Sequence, residues 1–150
     1  MIALQYPEPK FRLKNEKGKQ YIFDSIRKIW LLLTEEEWVR QNFVNLLISQ
    51  LDYPSTVIAI EKEISLNDLK KRFDILVYDK EHRPWMLVEC KKPQVNLSED
   101  VLQQVLRYNV SVPVKYILIT NGNTTVGWKK ELDLMLLEAI PRWSDVSDLS

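Results

Sequence analysis

Two apolar runs joined by a polar turn constrain this chain more than any other stretch. They are Phe73–Tyr78 and Trp85–Cys90, on either side of Lys80-Glu81-His82-Arg83-Pro84. Short runs of branched and aliphatic residues bounded by turn residues predict the two strands of an antiparallel hairpin. Two acids interrupt the apolar pattern, Asp74 in the first run and Glu89 in the second. With an even number of turn residues, Asp74 stands opposite Glu89, with Cβ atoms about 5 Å apart. Strand alternation then puts Lys91 on the face of Glu89 and turns Val88 and Cys90 the other way. An odd turn shifts the register by one and spoils the pairing.

The rest of the chain surrounds this hairpin with helices. Thr34-Glu35-Glu36-Glu37 reads as a capping box, with Thr34 as N-cap and Glu37 reaching back to the cap amide. Trp38, Val39, Phe43, Leu46, Leu47 and Leu51 then recur at helical spacing, which predicts a helix over 35–50. Val57–Leu66 reads as a strand before the hairpin, and Ser98 caps a second helix with an apolar stripe of Val101, Leu102, Val105 and Leu106. Tyr116–Thr120 is a strand ended by the turn Asn121-Gly122-Asn123, and Thr124–Lys129 is a further strand. Leu132–Ile140 reads as a final helix, and Tyr21–Phe23 with Ile29–Leu33 as strands or a hairpin near the amino end. Helix, three strands, helix and strand, with additions at both ends, predict a sheet covered by helices. The class is α/β or α+β.

The 150 residues suit one domain, with a core expected over about 20–140. Hydrophobic residues at 45% and charged residues at 28% describe a globular chain rather than a disordered one. Lys+Arg and Asp+Glu are both 21, which excludes a wholly electrostatic nucleic-acid binder but permits a local basic patch. Residues 1–28 carry a net +4 and residues 131–150 a net −4. These ends are expected to be solvated and frayed, or else the basic end lies along a polyanion. A single cysteine, Cys90, excludes disulfide frameworks and multi-cysteine zinc sites, and a single histidine, His82, excludes His-rich metal chemistry. No glycine pattern forms a phosphate-cradling loop. The charged, proline-bearing amino end is not a signal peptide and no apolar run could span a bilayer, so the expected location is cytoplasmic.

Any active site must therefore be built from carboxylates, lysines and amides. Two facing carboxylates in a partly buried hairpin repel unless a cation compensates them. One solution is ion pairing with Lys91, Lys92 or Arg72. The other is a hard divalent cation, Mg²⁺ or Mn²⁺, with oxygen ligands and retained waters.

The residues then point to a family. Arg72-Phe73-Asp74-Ile75-Leu76-Val77 followed by Leu87-Val88-Glu89-Cys90-Lys91-Lys92-Pro93 resembles the core of the PD-(D/E)XK nuclease superfamily. More narrowly, the chain resembles the amino-terminal nuclease domain of type I restriction enzyme R subunits. The likeness spans about Phe23 to Asn121. It also takes in Phe23-Asp24 with Ile26-Arg27-Lys28, Thr34–Gln41, Gln104-x-x-x-Tyr108-Asn109 and Ile119-Thr120-Asn121-Gly122. Phe73 stands where the superfamily commonly has a proline.

The resemblance implies a restriction-endonuclease-like core of order αβββαβ, a central mixed sheet flanked by helices. It implies that Asp74, Glu89 and the Cys90 carbonyl bind Mg²⁺ or Mn²⁺, and that Lys91 is the catalytic lysine. An acid from the preceding helix usually joins them; Glu36 is the choice, since Glu37 is engaged in the capping box. Gln104 and Tyr108 match a signature whose residues contact DNA beside the site. Lys70, Lys71, Arg72, Lys92 and the basic amino end offer further phosphate contacts. The expected activity is metal-dependent hydrolysis of DNA phosphodiesters; the alternative is a non-catalytic nucleic-acid-binding or assembly module with the same fold. R subunits continue into an ATP-driven translocase, and no phosphate-binding loop is present here. The expected partners are DNA and either a second copy of the chain or a separate motor or specificity protein, with no membrane.

Overall fold

Thr34 and Ser98, hydroxyl residues ahead of acid-rich turns, start the two long helices. The computed structural model describes residues 1–66 and 68–146. Thr34 caps α1 (Glu35–Ser49), its hydroxyl accepting from the Glu37 N–H at 3.0 Å, and three acids fill the first turn where the helix dipole favours them. Ser98 caps α2 (Glu99–Asn109) by accepting from the Val101 N–H at 3.4 Å.

Two sheets pack with these helices. β1 (Leu13–Glu16), β2 (Lys19–Asp24) and β3 (Ile29–Leu32) form a small antiparallel sheet. The central sheet runs β4 (Ile58–Leu66), β5 (Leu69–Tyr78), β6 (Pro84–Cys90), β7 (Tyr116–Thr120), β8 (Thr125–Lys130) and β9 (Leu134–Leu136) in that spatial order. β6 and β7 are parallel and joined through α2, while the other neighbours are antiparallel. A short α3 (Trp143–Val146) follows. The architecture is a mixed sheet flanked by helices, and its centre has the expected order α1, three strands, α2, strand.

Each face of the central sheet has its own core. Val39, Phe43 and Leu47 of α1 pack on Ile75, Val77, Met86, Val88 and Leu118. Val105 and Leu106 of α2 pack on Leu76, Leu87, Ile117 and Ile119. β6 and β7 are thus covered on both sides, which is why they read as nearly continuous apolar runs. Asn121 closes the β7–β8 turn by accepting from the Asn123 and Thr124 N–H groups. Gly122 there has φ +89°, and a Cβ would come within 3.2 Å of Val39 Cγ2, so the position needs glycine.

Three expectations are corrected. Leu132–Ile140 is not a helix: Leu134–Leu136 pairs with β8, and the Leu137 N–H donates to Gly127 at 2.8 Å. The outer edge of β8 offers unpaired backbone groups, and satisfying them outweighs the helical spacing of exposed leucines. Over the described residues both ends are anchored rather than frayed. The Ile2 N–H donates to Thr125 at 2.9 Å and its buried side chain joins the α1-side core. Ile140 and Val146 join that core too, and the Tyr53 hydroxyl donates to the Pro141 carbonyl at 2.7 Å. Apolar residues scattered among charges supply this anchoring, which a net-charge argument overlooks. Asp148, counted among the carboxy-terminal acids, lies outside the described residues. Finally, Glu37 completes no capping box; its carboxylate turns inward, as set out below. Among the described residues no helix is long and apolar enough to cross a membrane.

Candidate active site

The hairpin register is the one that sets Asp74 against Glu89, although the turn is odd. Asp79–Arg83 connects β5 to β6, and Asp79 Oδ1 accepts from the Glu81 and Arg83 N–H groups at 2.9 Å. Tyr78 pairs with Pro84, but Val77 pairs with Met86, so a bulge at Trp85 absorbs the odd residue. Leu76 then faces Leu87 and Ile75 faces Val88. Asp74 and Glu89 are next along that register.

At this point the strands part. The Cys90 N–H donates to Asp74 Oδ2 at 2.8 Å, so a carboxylate stands where a backbone acceptor would continue the ladder. Alternation in β5 also breaks, since Phe73 belongs to the α2-side core and Ile75 to the α1-side core. In β4 the break falls at Glu61, a non-glycine residue at φ +52°. Both irregularities free Asp74 from the regular pleat.

Asp74 thereby reaches an ion network on the α1 side. Arg40 is 4% exposed; its Nη2 donates to Asp74 Oδ1 at 3.1 Å and lies 3.3 Å from both Glu36 and Glu61. Its Nη1 donates to Glu37 Oε1 at 2.6 Å. Glu37 also accepts from Gln41 at 3.0 Å and from Arg27 at 3.2 Å. Arg27 in turn binds Asp24, the buried end of β2, at 2.5 Å. Burial alone would loosen the Arg40 proton, but Glu37 and Asp74 outweigh that and hold the guanidinium charged.

On the α2 side the charges are exposed to a cleft. Glu89, Lys91, Gln104, Val105, Tyr108 and Asn109 line about 260 Å³. Glu89 Oε1 is buried without a hydrogen-bond partner among the described residues. Burial first, then the charge and hydrogen bond of Asp74, push the Glu89 carboxyl up to about 8, against the opposing pull of Lys91. Lys91 makes no ion pair within 4 Å among the described residues, and its N–H extends β6 by donating to Thr120 at 2.8 Å. The Cys90 thiol is buried toward α1, with its proton held tightly, so only the peptide carbonyl of that residue is a candidate ligand.

The residues present fit a hard divalent ion in one respect and compete with it in another. An orphaned buried carboxylate oxygen beside a second carboxylate is an oxygen-rich, electron-rich position. Arg40 already offsets part of the charge on Asp74, whose oxygens retain further lone pairs. Among the described residues no three ligating side chains gather together, so an ion here would draw on two carboxylates, a carbonyl, water and substrate.

The structure brings Asp74, Glu89, Lys91, Gln104 and Tyr108 to one hairpin end and cleft. Glu36 stands across Arg40 from Asp74 and adds its charge to the field that raises Glu89. Lys71 lies over the Tyr108 ring at 4.7 Å and donates to the Tyr108 carbonyl. Arg72 pairs with Glu61 at 2.5 Å, Lys70 approaches Glu63 at 3.9 Å, and Lys92 is exposed. Sequence reasoning assigned no role to Arg27, Arg40 or Glu61. Asp24-x-x-Arg27 and Glu37-x-x-Arg40 carry a signal for the first two, a repeated acid–arginine spacing; nothing in the sequence marks Glu61.

Comparison with known proteins bears on the fold and the family. Over 95% of its length the chain resembles a solved structure from Anabaena variabilis ATCC 29413, a DUF820 protein described as a candidate nuclease. The likeness covers 88% of that protein at 13% identity with a TM-score of 0.51, which speaks for the fold alone. No match to the sequence is found among curated proteins. The model of the family described as type I restriction enzyme R protein N terminus matches residues 35–141, from the start of α1 through both acids and Lys91 to Pro141. The chain belongs to that family.

Proposed function

We propose that this chain is a metal-dependent nuclease that hydrolyses DNA phosphodiesters. One observation carries the reading: a buried Glu89 oxygen beside Asp74, without a hydrogen-bond partner among the described residues, opening with Lys91 onto a cleft lined by Gln104 and Tyr108. Asp74, Glu89 and the Cys90 carbonyl would hold Mg²⁺ or Mn²⁺. Bound there, such an ion supplies positive charge to phosphate oxygens and makes water more acidic. Lys91 directs its ammonium at the reacting phosphate, offsets the negative charge that builds up there and orients the attacking water by hydrogen bonding. Glu36, anchored by Arg40, accepts a hydrogen bond from that water. The water oxygen bonds to phosphorus as the bond to the 3′ oxygen breaks; the water gives up a proton to solvent and the departing oxygen takes one from solvent, leaving a 5′ phosphate and a 3′ hydroxyl. Gln104 and Tyr108 seat the strand from one face of α2, four positions apart.

A second copy of the chain, or a separate motor or specificity protein, would decide which strands are cut. Incubation of plasmid and oligonucleotide with Mg²⁺, Mn²⁺ or chelator, beside Lys91→Ala and Asp74→Ala, tests the reading. Wild type is expected to cleave only with metal, and both variants to lose cleavage. Equal digestion by all three would come from contamination and would end the proposal.

A second reading rests on Arg40. Its contact with Asp74 already compensates one acid without metal, as suits a binding module that does not cut. DNA binding without cleavage, undiminished by Lys91→Ala, would select that reading.

A further inference from the structure

We propose that the outward face of the β1–β3 sheet is a phosphate platform for the nucleic-acid backbone, a binding surface separate from the cleft. Register puts Lys14 beside Tyr21, Tyr21 beside Leu32, and Phe23 beside Trp30, and paired positions of antiparallel strands share a face. Ile22 and Asp24, between them in β2, are buried on the inner side. Three rings thus floor the outer face. The exposed Arg12 guanidinium lies 4.6 Å over Phe23 and 5.4 Å from Trp30, and Lys14 lies 4.5 Å over Trp30.

Charge selects the occupant. Among residues 1–28, Asp24 faces inward against Arg27, which leaves six Lys/Arg against Glu8 and Glu16. The Lys14–Glu16 pair at 3.5 Å is solvent-exposed on both sides and neutralises little. A guanidinium held over a ring keeps N–H groups free for the oxygens of a phosphate, and its stem loses little further freedom on binding. The outer faces of Phe23 and Trp30 already carry cations, so bases could stack there only by displacing them. The surface therefore suits the sequence-independent backbone rather than the bases. It also belongs to the same body as the site, since Arg27 pairs with Asp24 of β2 and with Glu37 of α1.

The nature of the polyanion rests on the nuclease reading, so the test separates the two. Fluorescence anisotropy follows a short labelled DNA, single-stranded and duplex, binding to Lys91→Ala protein in chelator across a salt series. Adding Arg12→Gln with Lys14→Gln, which keeps the stems over the rings, is expected to weaken duplex binding about tenfold at low salt. The slope of log affinity against log salt should flatten by about 2, near 0.9 for each phosphate contact removed. An unchanged slope, or no binding of DNA by the parent, overturns the platform. So does loss of single-strand binding on Trp30→Leu with the charge variant unaffected, which would indicate base stacking. Cleavage by wild type is read in parallel. Cleavage with an unchanged slope rejects only the platform, whereas a flattened slope without cleavage in any metal rejects only the nuclease reading.

Discussion

On the α1 side of the central sheet, buried charges meet one another: Arg40 touches Glu37, Glu36, Glu61 and Asp74, and Arg27 ties Glu37 to Asp24. On the α2 side, a few ångströms through the same strands, Glu89 leaves an oxygen without a partner and Lys91 lies in a cleft without an ion pair among the described residues. Paired charges hold a geometry in place, because removing either member strands the other in a dry setting. Groups left without a partner cost stability where they are buried, and they stand ready for something from outside. The hairpin joins the two regimes at Asp74, which faces both.

The sharpest way to break this contrast is to truncate the unpaired lysine. Lys91→Ala is expected to lower the cleavage rate by about 10²–10⁴-fold, the usual scale for a positioned charge or acid–base group, while the thermal midpoint stays put. A large drop in midpoint would show that Lys91 is structural after all. Arg40→Gln should do the opposite first. It leaves the buried Glu37 and Asp74 short of a partner, at a cost of about 3–5 kcal/mol, which denaturant unfolding would register. If Arg40→Gln unfolds like wild type, the α1-side network is not what holds Asp74.

Glu89 gives a smaller, pH-dependent effect. Its folded-state pKa, about 8, lies above the usual carboxylate value of 4.5, so the folded protein holds a proton that the unfolded chain releases. In chelator, stability should be full below about pH 4.5 and fall as pH rises toward 8. Mn²⁺ should restore some of it at the alkaline end, and Glu89→Gln should flatten the profile. A pH-independent midpoint in wild type would mean that Glu89 ionises at no cost. The smallest effect is expected at the rim. Tyr108→Ala should reduce DNA affinity about 3- to 10-fold, in line with roughly 1 kcal/mol for one exposed contact, with no change in midpoint. If affinity is unaffected, the strand does not cross α2 there.

Much of the scaffold was legible because it is written in local chemistry. Thr34 and Ser98 mark helix starts, Asn121 marks a turn, and the doubly covered β6 and β7 read as apolar runs. The facing of Asp74 and Glu89 was legible as one register out of two. What decided it was a bulge at Trp85, a device that leaves no trace in the apolar pattern. Glu37 shows the limit of local reading. Thr-x-x-Glu spacing calls for a cap contact, but Arg27, ten residues upstream, offers a stronger buried partner. The strand at Leu134–Leu136 and the anchoring of Ile2 likewise depend on an open sheet edge and a packed surface contributed by distant residues.

The bulge at Trp85 also separates the tip of the hairpin from its business end. Since the odd residue is absorbed between the tip and the acids, a reporter peptide or affinity handle grafted within Asp79–Arg83 would leave Asp74 across from Glu89. Deleting Trp85 itself would join Pro84 directly to Met86, so Val77 would keep Met86 and Asp74 would still face Glu89, while the α1-side core would lose a buried indole.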